Sequence, residues 1–551
     1  MRLDAERLDW KQGLLLLAAA LALFLPGFAN LPPVDRDESR YAVATTQMLK
    51  SGDFVDIRFQ EDARHLQPAG AYWLQSATVA AFSDPEARAI WAHRLPSLAA
   101  ALAAVLATAA FASLWLGARG GLLAGLLLAS CMSLGFEARI AKTDAALLAA
   151  VTLAQFAFMA LYTGRSASRG LAALFWAALG FGALVKGPII LIVTGLCALV
   201  LLVWDRRPKR FASLRAAWGV PLALAIALPW YVAIGVVTDG GFFATAIGDN
   251  LLHKVGTGQQ SHGGPPGYHL IGFVLMFWPG ALLAAAALPF VWRHRDRPEV
   301  RFLIAWVVPA WLVFEFVSTK LPHYVLPLYP AIAMLTAAAA VTPSEPGPKW
   351  TRWLFFAYLV LWILVSGLLI GLAPAGAVVY GGRLPPLSVV LAVLAAVALV
   401  LMLMALARGR RDRAIVAGAV AAFFVTANTY GLVLPGLTSL WLSPQIAEAA
   451  RAARPDCESV RIVTTPYHEP SLVFLNGSAN TTLADTPDQA AQAMGEGGAC
   501  AVAVVGAEQQ AAFLSRAAAL GLSLAPAGKV TGQNYSDGNE LDLTLYVPGG
   551  A

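Results

Sequence analysis

Charge is what this 551-residue chain has least of: Asp, Glu, Lys and Arg together make up 13% of it, against 58% apolar residues. That balance lies outside the range of ordinary soluble domains and marks a polytopic membrane protein. Cysteine is scarcer still, four in all. Cys131 and Cys197 fall in apolar runs as small buried hydrophobes. Cys457 and Cys500 fall in the C-terminal tail, where an oxidising compartment permits a disulfide, although sequence alone does not place their Cα atoms at bridging distance. The net charge of +6 sits in short loops, and with no basic stripe or aromatic-interleaved patch it does not point to nucleic acid. Nothing resembling a nucleotide-binding glycine fingerprint occurs, and no inverted repeat of the kind many secondary transporters carry is visible. The first apolar run lacks a small-residue cleavage site, so it reads as a retained span rather than a signal peptide.

What is abundant is apolar runs of about 20 residues, the length that crosses a hydrocarbon core. Thirteen are expected, near 12–32, 91–116, 120–137, 144–163, 170–185, 188–204, 216–236, 268–291, 302–318, 323–341, 353–373, 385–407 and 414–434. This topology puts Arg119, Arg165, Arg169, the 206–215 cluster, 293–301, Lys349, Arg352 and 408–413 on one side, which the positive-inside rule makes cytoplasmic. The loop 33–90, Lys142–Asp144, Lys186, the 237–267 loop, Lys320–His323 and the tail then share the opposite side, the periplasm of a bacterium. Past Leu434-Pro435 the composition changes. SVRIVTT (459–465), ACAVAVVG (499–506) and ELDLTLYV (540–547) read as strands, and 486–495 and 507–520 as amphipathic helices. The expected organisation is an all-α membrane domain over 1–435, with a periplasmic loop at 33–90, and a small periplasmic α/β domain over 436–551.

Polar groups at a membrane boundary are costly, so the acidic loop after the first span attracts attention. Asp35, Asp37 and Glu38 emerge there with Arg40 and Tyr41, ahead of two short helices expected at 38–50 and 68–82 along the membrane surface. Close carboxylates raise one another's pKa and suit a base; helix capping by Asp37 is the bland alternative. Lys142-Thr143-Asp144 adds a second acid at the same depth, with a structural salt bridge as its alternative. Lys186, before Gly187-Pro188, either snorkels or seats a phosphate beside a helix start. His253, Lys254 and His262 lie in a glycine- and proline-rich loop whose histidine spacing matches no metal motif. Ser318–Tyr324 is the densest polar turn between two spans, with Lys320, His323 and Tyr324 together.

The ordered set DRDESRYA, GDF, P-x-G-x-YWLQ, AHRLPS, KTD, LVKGP, SHGGPPGY and STKLPHYVLPLYP, running from about 10 to 435, resembles the lipid-phosphate-sugar-dependent membrane glycosyltransferases of GT-C fold. These include the protein O-mannosyltransferases and the bacterial lipid A aminoarabinose transferases. The resemblance implies an enzyme of the inner membrane that transfers a sugar from undecaprenyl phosphate to lipid A, another glycan or a protein, by an inverting displacement at the periplasmic face. Nothing in it demands more than a monomer. By the same resemblance Asp37 and Asp144 are the catalytic acids. It places Glu38, Arg40, Lys186 and Tyr324 among the substrate-binding residues and His262 in the loop that carries a metal-binding histidine; Tyr41, Gln67, Lys142, Lys254, Lys320 and His323, read from their own surroundings, complete the expected substrate-binding set. One departure stands out: where the family commonly has Glu-Lys before the Tyr-Trp pair, this chain has Leu66-Gln67. A divalent metal is therefore in question, and Arg64, His65 or Lys254 is left to supply the missing cation. The alternatives are a lipid-linked sugar transporter or flippase, which needs polar groups deep in the spans where Glu315 is almost alone, and an inactive envelope-assembly partner.

Overall fold

A computed structural model describes residues 7–246, 248, 263–343 and 346–549. The first helix, α1 (Trp10–Phe24), starts at a capping box in which Asp9 accepts from Gln12 N and the Gln12 side chain returns to Asp9 N. Next come α2 (Asp37–Ser51), the hairpin β1 (Arg58–Phe59) and β2 (Asp62–Ala63), and α3 (Gly70–Phe82). The chain then enters α4 (Ile90–Ser130), α5 (Met132–Glu137), α6 (Asp144–Tyr162), α7 (Arg169–Lys186), α8 (Ile189–Asp205) and α9 (Ala216–Val237).

Each of the thirteen expected apolar segments contains helix, but the helices divide differently from the sequence reading. Among the described residues eight are individually long and apolar enough to cross a bilayer, or nine if Tyr268–Met276 and Ala281–His294, bent by 117°, form one span. Three shortfalls have plain causes. At 15 and 17 residues, α1 and α8 are shorter than the ~20 residues a perpendicular crossing takes, and Pro298–Phe316 carries Glu299, Arg301 and Glu315. α4 holds two expected segments in one, because Gly117 leaves the helical region (φ 74°, ψ 174°) and turns the chain back on itself. The two arms pack closely: a Cβ on Gly121 would lie 2.5 Å from the Ala109 carbonyl oxygen.

One end of the bundle is tied by arginines. Arg119 pairs with Asp412, Arg165 with Glu299, and Arg210 and Arg301 both with Asp205. Helix ends distant in sequence thus share one face, as the charge pattern implied. α6 sits at the centre of the bundle and is buried almost throughout, whereas Lys349–Gly381 and Pro386–Ala407 are mostly exposed apolar surface. That exposure suits lipid contact.

At the other end α2 and α3 do not lie free on a membrane surface. Tyr41, Ala44 and Met48 of α2 pack with Tyr72 of α3, Leu184 of α7 and Trp230 of α9, while Ala42 and Val43 pack against Val473 and Phe474 of the C-terminal module. Gly70 starts α3 because a Cβ there would lie 2.7 Å from the Leu184 carbonyl oxygen.

Beyond Leu440 the chain forms a five-stranded sheet of order β4-β3-β5-β7-β6, where β3 is Arg461–Thr465, β4 Thr481–Leu483, β5 Ala501–Gly506, β6 Leu524–Gln533 and β7 Glu540–Pro548. Its faces alternate by residue, as strands must. Ile462, Val502 and Val504 pack with Leu442, Ile446 and Leu472 on one side; Val463, Ala503 and Val505 pack with Met494 and Phe513 on the other. Cys457 and Cys500 form a disulfide, Cα to Cα 5.9 Å, closing a loop of sequence separation 43. Replacing both with serine is expected to destabilise this module by about 2–4 kcal/mol, read as an earlier denaturant midpoint for the tail. Unchanged stability would count against the crosslink.

Candidate functional site

The chemistry gathers where α6 and α7 meet the turn 318–324. Asp144 opens α6 and Lys186 closes α7, and the Lys186 ammonium donates to Asp144 Oδ1 at 2.5 Å. Lys142 lies 3.1 Å from Glu137 Oε1 and 3.5 Å from Asp144 Oδ2. His323 sits between the two acids, its Nδ1 3.8 Å from Glu137 and its Nε2 3.6 Å from Asp144. Burial alone would weaken the Lys142 ammonium, but Glu137 and Asp144 outweigh it and hold its pKa above the usual lysine range. Two lysines fixed by two buried carboxylates retain N–H donors not used on those acids, since each ammonium has three. That is a preorganised cationic seat.

Asp37 approaches from α2. Its carboxylate is 61% exposed and 4.0 Å from Arg64 Nη2, and it is not a side-chain cap: Arg36, at φ 64°, occupies the capping position without a side-chain hydrogen bond. Lys142 and Tyr324 both lie within electrostatic reach of Asp37 and Asp144. Both acids thus act on the same lysine and the same tyrosine. Arg64 is almost fully buried, donates to the Tyr72 hydroxyl at 3.1 Å, and covers the Tyr41 ring at 5.2 Å, while Tyr41 stacks on Tyr72 at 4.8 Å. Burial raises the Tyr41 hydroxyl pKa well above its ordinary value. Arg40 is half-buried, and burial, then Arg64, lowers its pKa. Gln67 is half-buried at the rim of the same loop.

Two residues read from the sequence as substrate-binding are engaged within the protein itself. Glu38 is buried and its carboxylate saturated within the protein, accepting from Arg94 Nε and Nη2 at 2.8 Å each, from Val34 N at 2.8 Å and from Ala141 N at 2.9 Å. Arg94 spends its remaining donors on the carbonyls of Phe28, Leu31 and Pro32, so the pair is a clamp that fixes the acidic loop to α4. Lys320 is likewise occupied, donating to the Glu315 and Val317 carbonyls at 2.8 and 2.6 Å at the end of Pro298–Phe316. Cations belong at that end of a helix. Glu315, the deep acid a transporter would use, accepts from Gly267 N and Leu270 N at the start of Tyr268–Met276.

Lys254 and His262 lie outside the described residues. Among the described residues no three His, Cys, Asp or Glu side chains converge as a metal site. Glu137 and Asp144 are neutralised by lysines instead, and Leu66 offers no ligand. Three contributors were not assigned from sequence. Arg94 was legible as an arginine in an apolar run, which demands a partner. Arg64 was only one of three possible cations, and the role of Glu137 emerges only from its pairing with Lys142.

The acidic loop also meets the C-terminal module. Asp35 Oδ1 accepts from Ser471 N at 3.2 Å, Asp35 N donates to the Tyr535 hydroxyl at 2.7 Å, and Arg36 donates to the Ser536 carbonyl at 2.5 Å. Burial first, then Glu469, pushes the Asp35 carboxyl up from 3.8 to about 7. A raised acid favours the folded state fully below the unfolded value and loses that advantage as pH rises through the folded one. Stability of this junction is therefore expected to fall between about pH 4 and 7, by on the order of 4 kcal/mol. Hydrogen exchange in Pro470–Asn476 measures it. Asp35→Asn should flatten the profile, and a flat profile in the unaltered protein would refute the assignment.

Residues 29–238 match the family model of dolichyl-phosphate-mannose-protein mannosyltransferase. The undecaprenyl phosphate-alpha-4-amino-4-deoxy-L-arabinose arabinosyl transferase 1 of Pseudomonas fluorescens is 29% identical over 365 residues, covering 65% of this chain and 64% of that protein. The corresponding Yersinia pestis protein is 29% identical over 337 residues, 59% of each chain. Less than two thirds of either relative's length is thus matched. Among solved structures, ArnT from Cupriavidus metallidurans bound to undecaprenyl phosphate superposes with a TM-score of 0.72 at 21% identity, covering 97% of both chains. Its apo form gives 0.71 at 22%. By fold, then, this chain of several membrane-spanning helices is built like ArnT, and its residues 29–238 match the mannosyltransferase family model.

Proposed function

We propose that this protein is an integral membrane glycosyltransferase that moves a sugar from an undecaprenyl-phosphate carrier to an acceptor at the periplasmic face of the bacterial inner membrane. Lipid A is the acceptor its motifs favour, with another glycan or a protein as the alternative. The observation that carries this reading is the lysine seat: Lys186 and Lys142 are locked by Asp144 and Glu137, and the exposed Asp37 acts electrostatically on Lys142. A donor phosphate placed against those ammonium groups leaves as an anion, and donors aimed in advance at developing charge are the most effective form of catalysis.

In the displacement the acceptor oxygen forms a bond to the anomeric carbon while the carbon–oxygen bond to phosphate breaks. The acceptor proton passes to Asp37, and the new charge on the carrier phosphate is met by Lys186 and Lys142. No acid is needed for a phosphate leaving group. Asp144 acts by placing the lysines; Arg64 and Arg40, half-buried or deeper beside Asp37, supply cations on the loop side. A single chain contains every group named. The test uses the purified protein in nanodiscs with radiolabelled undecaprenyl-phosphate aminoarabinose, galacturonate or hexose, and lipid A as acceptor. Label should move from one of these donors. Protein that binds undecaprenyl phosphate yet transfers from none of them would overturn the proposal.

A further inference from the structure

A second cavity, of about 1060 Å³, lies away from the lysine seat, between α2 and the β1–β2 hairpin on one side and the C-terminal module on the other. It exceeds the roughly 300–1,000 Å³ of most small-molecule clefts, and it sits at a junction between modules, where such clefts favour. We infer that it binds a saccharide carrying hydroxyl or amino groups but no phosphate or carboxylate, which, resting on the transferase reading, would be part of the acceptor.

Its lining decides the chemistry. The floor is partly apolar, with Val43, Phe59, Val473 and Leu483. Above it stand Asp53, Asp56, Glu61, Asp62 and Asp485. The three cations on the walls each face a carboxylate: Lys50 lies 2.5 Å from Glu86, Arg58 2.9 Å from Asp56, and Arg88 3.7 Å from Glu86. The field left over is negative, so an anionic ligand is repelled. Carboxylates and amides over an apolar floor instead match the hydroxyl edges and C–H faces of sugar rings. Thr46, on the wall, carries a shielded hydroxyl without a hydrogen-bond partner among the described residues.

The cavity is also built rather than accidental. Gln47 and Gln60 exchange two hydrogen bonds, at 2.9 and 2.8 Å, and Gln60 continues to the Thr481 carbonyl at 2.7 Å, stitching α2, the hairpin and β4 into one wall. Because the helix that forms this wall begins at Asp37, a glycan held here leans on the element that carries the proposed base.

The test measures binding of three tetrasaccharides to the full-length protein in nanodiscs: chitosan tetramer (cationic), chitotetraose (neutral) and tetragalacturonate (anionic). Affinity should fall in that order. Glu61→Lys with Asp62→Lys, both exposed, should weaken chitosan tetramer by at least about tenfold. Glu61→Gln with Asp62→Asn should keep chitotetraose binding and lose the preference for the cationic probe. Equal binding of tetragalacturonate, no saturable binding of any saccharide, indifference to the lysine pair, or stronger binding of tetralysine than of chitosan tetramer would each overturn the inference. Binding is read without turnover, so failure here leaves the transferase reading intact, and absence of transfer leaves the cavity's ligand intact.

Discussion

Replacing Asp37 with asparagine is expected to lower sugar transfer by roughly 100- to 10,000-fold, the usual contribution of a positioned base, while leaving the protein folded. The variant keeps the volume of the side chain and removes its capacity to take a proton. Little structure depends on that carboxylate: it is 61% exposed, and its ion-pair partner, Arg64, stands 4.0 Å away. Its place in the first turn of α2 contributes under about 1 kcal/mol through the helix dipole. The loss should fall in kcat, with the Michaelis constant for the polyprenyl donor unchanged, because the donor phosphate is held at the lysines. Asp144→Asn should behave differently, since Lys186 and Lys142 lose the anion that places them; there the donor constant should rise as kcat falls. Steady-state kinetics on both variants, with size-exclusion profiles as the control for folding, separate the two roles. Full transfer by folded Asp37→Asn would remove the base assignment.

How far the sequence carried this picture differs between its parts. Helices were legible because long apolar runs have few alternatives in a bilayer, and breaks such as Gly187-Pro188 were read correctly as ends of spans. The shape of α4 was legible too, as two segments that meet at the non-helical Gly117. The tail was harder: β3 and β5 stand out as short apolar runs and β7 alternates, but β6 (LAPAGKVTGQ) is rich in small and turn-prone residues and pairs with β7 along its length. Within the site, the lysines and Asp144 were legible as costly charges at a membrane boundary. What sequence could not weigh was which charges had already been spent. Glu38 and Lys320 look as functional as Asp37 and Lys186 until their partners are known, and those partners lie 56 residues away for Glu38 and on the preceding helix end for Lys320.

That clamp gives the second large effect. Arg94→Ala should destabilise the protein by about 3–5 kcal/mol, the cost of leaving a buried charge without its partner. Glu38 and Arg94 have no exposed side-chain surface, so water cannot replace the lost donors, and the Phe28, Leu31 and Pro32 carbonyls lose theirs at the same time. Glu38→Ala should fall in the same range, because the guanidinium is then buried without its anion. Glu38→Ala combined with Arg94→Ala should cost clearly less than the sum of the two, since neither charge is left behind, and thermal unfolding of the three variants in one detergent gives the coupling directly. Additive losses would mean that the two side chains act independently. Transfer discriminates further: whatever folded Arg94→Ala survives should bind donor normally at Lys186, yet transfer slowly, because Ala141 and Val34 no longer share one anchored carboxylate and α2 no longer presents Asp37 at a fixed distance from the lysines. A folded variant with unimpaired kcat would show that the acidic loop holds its position without the clamp.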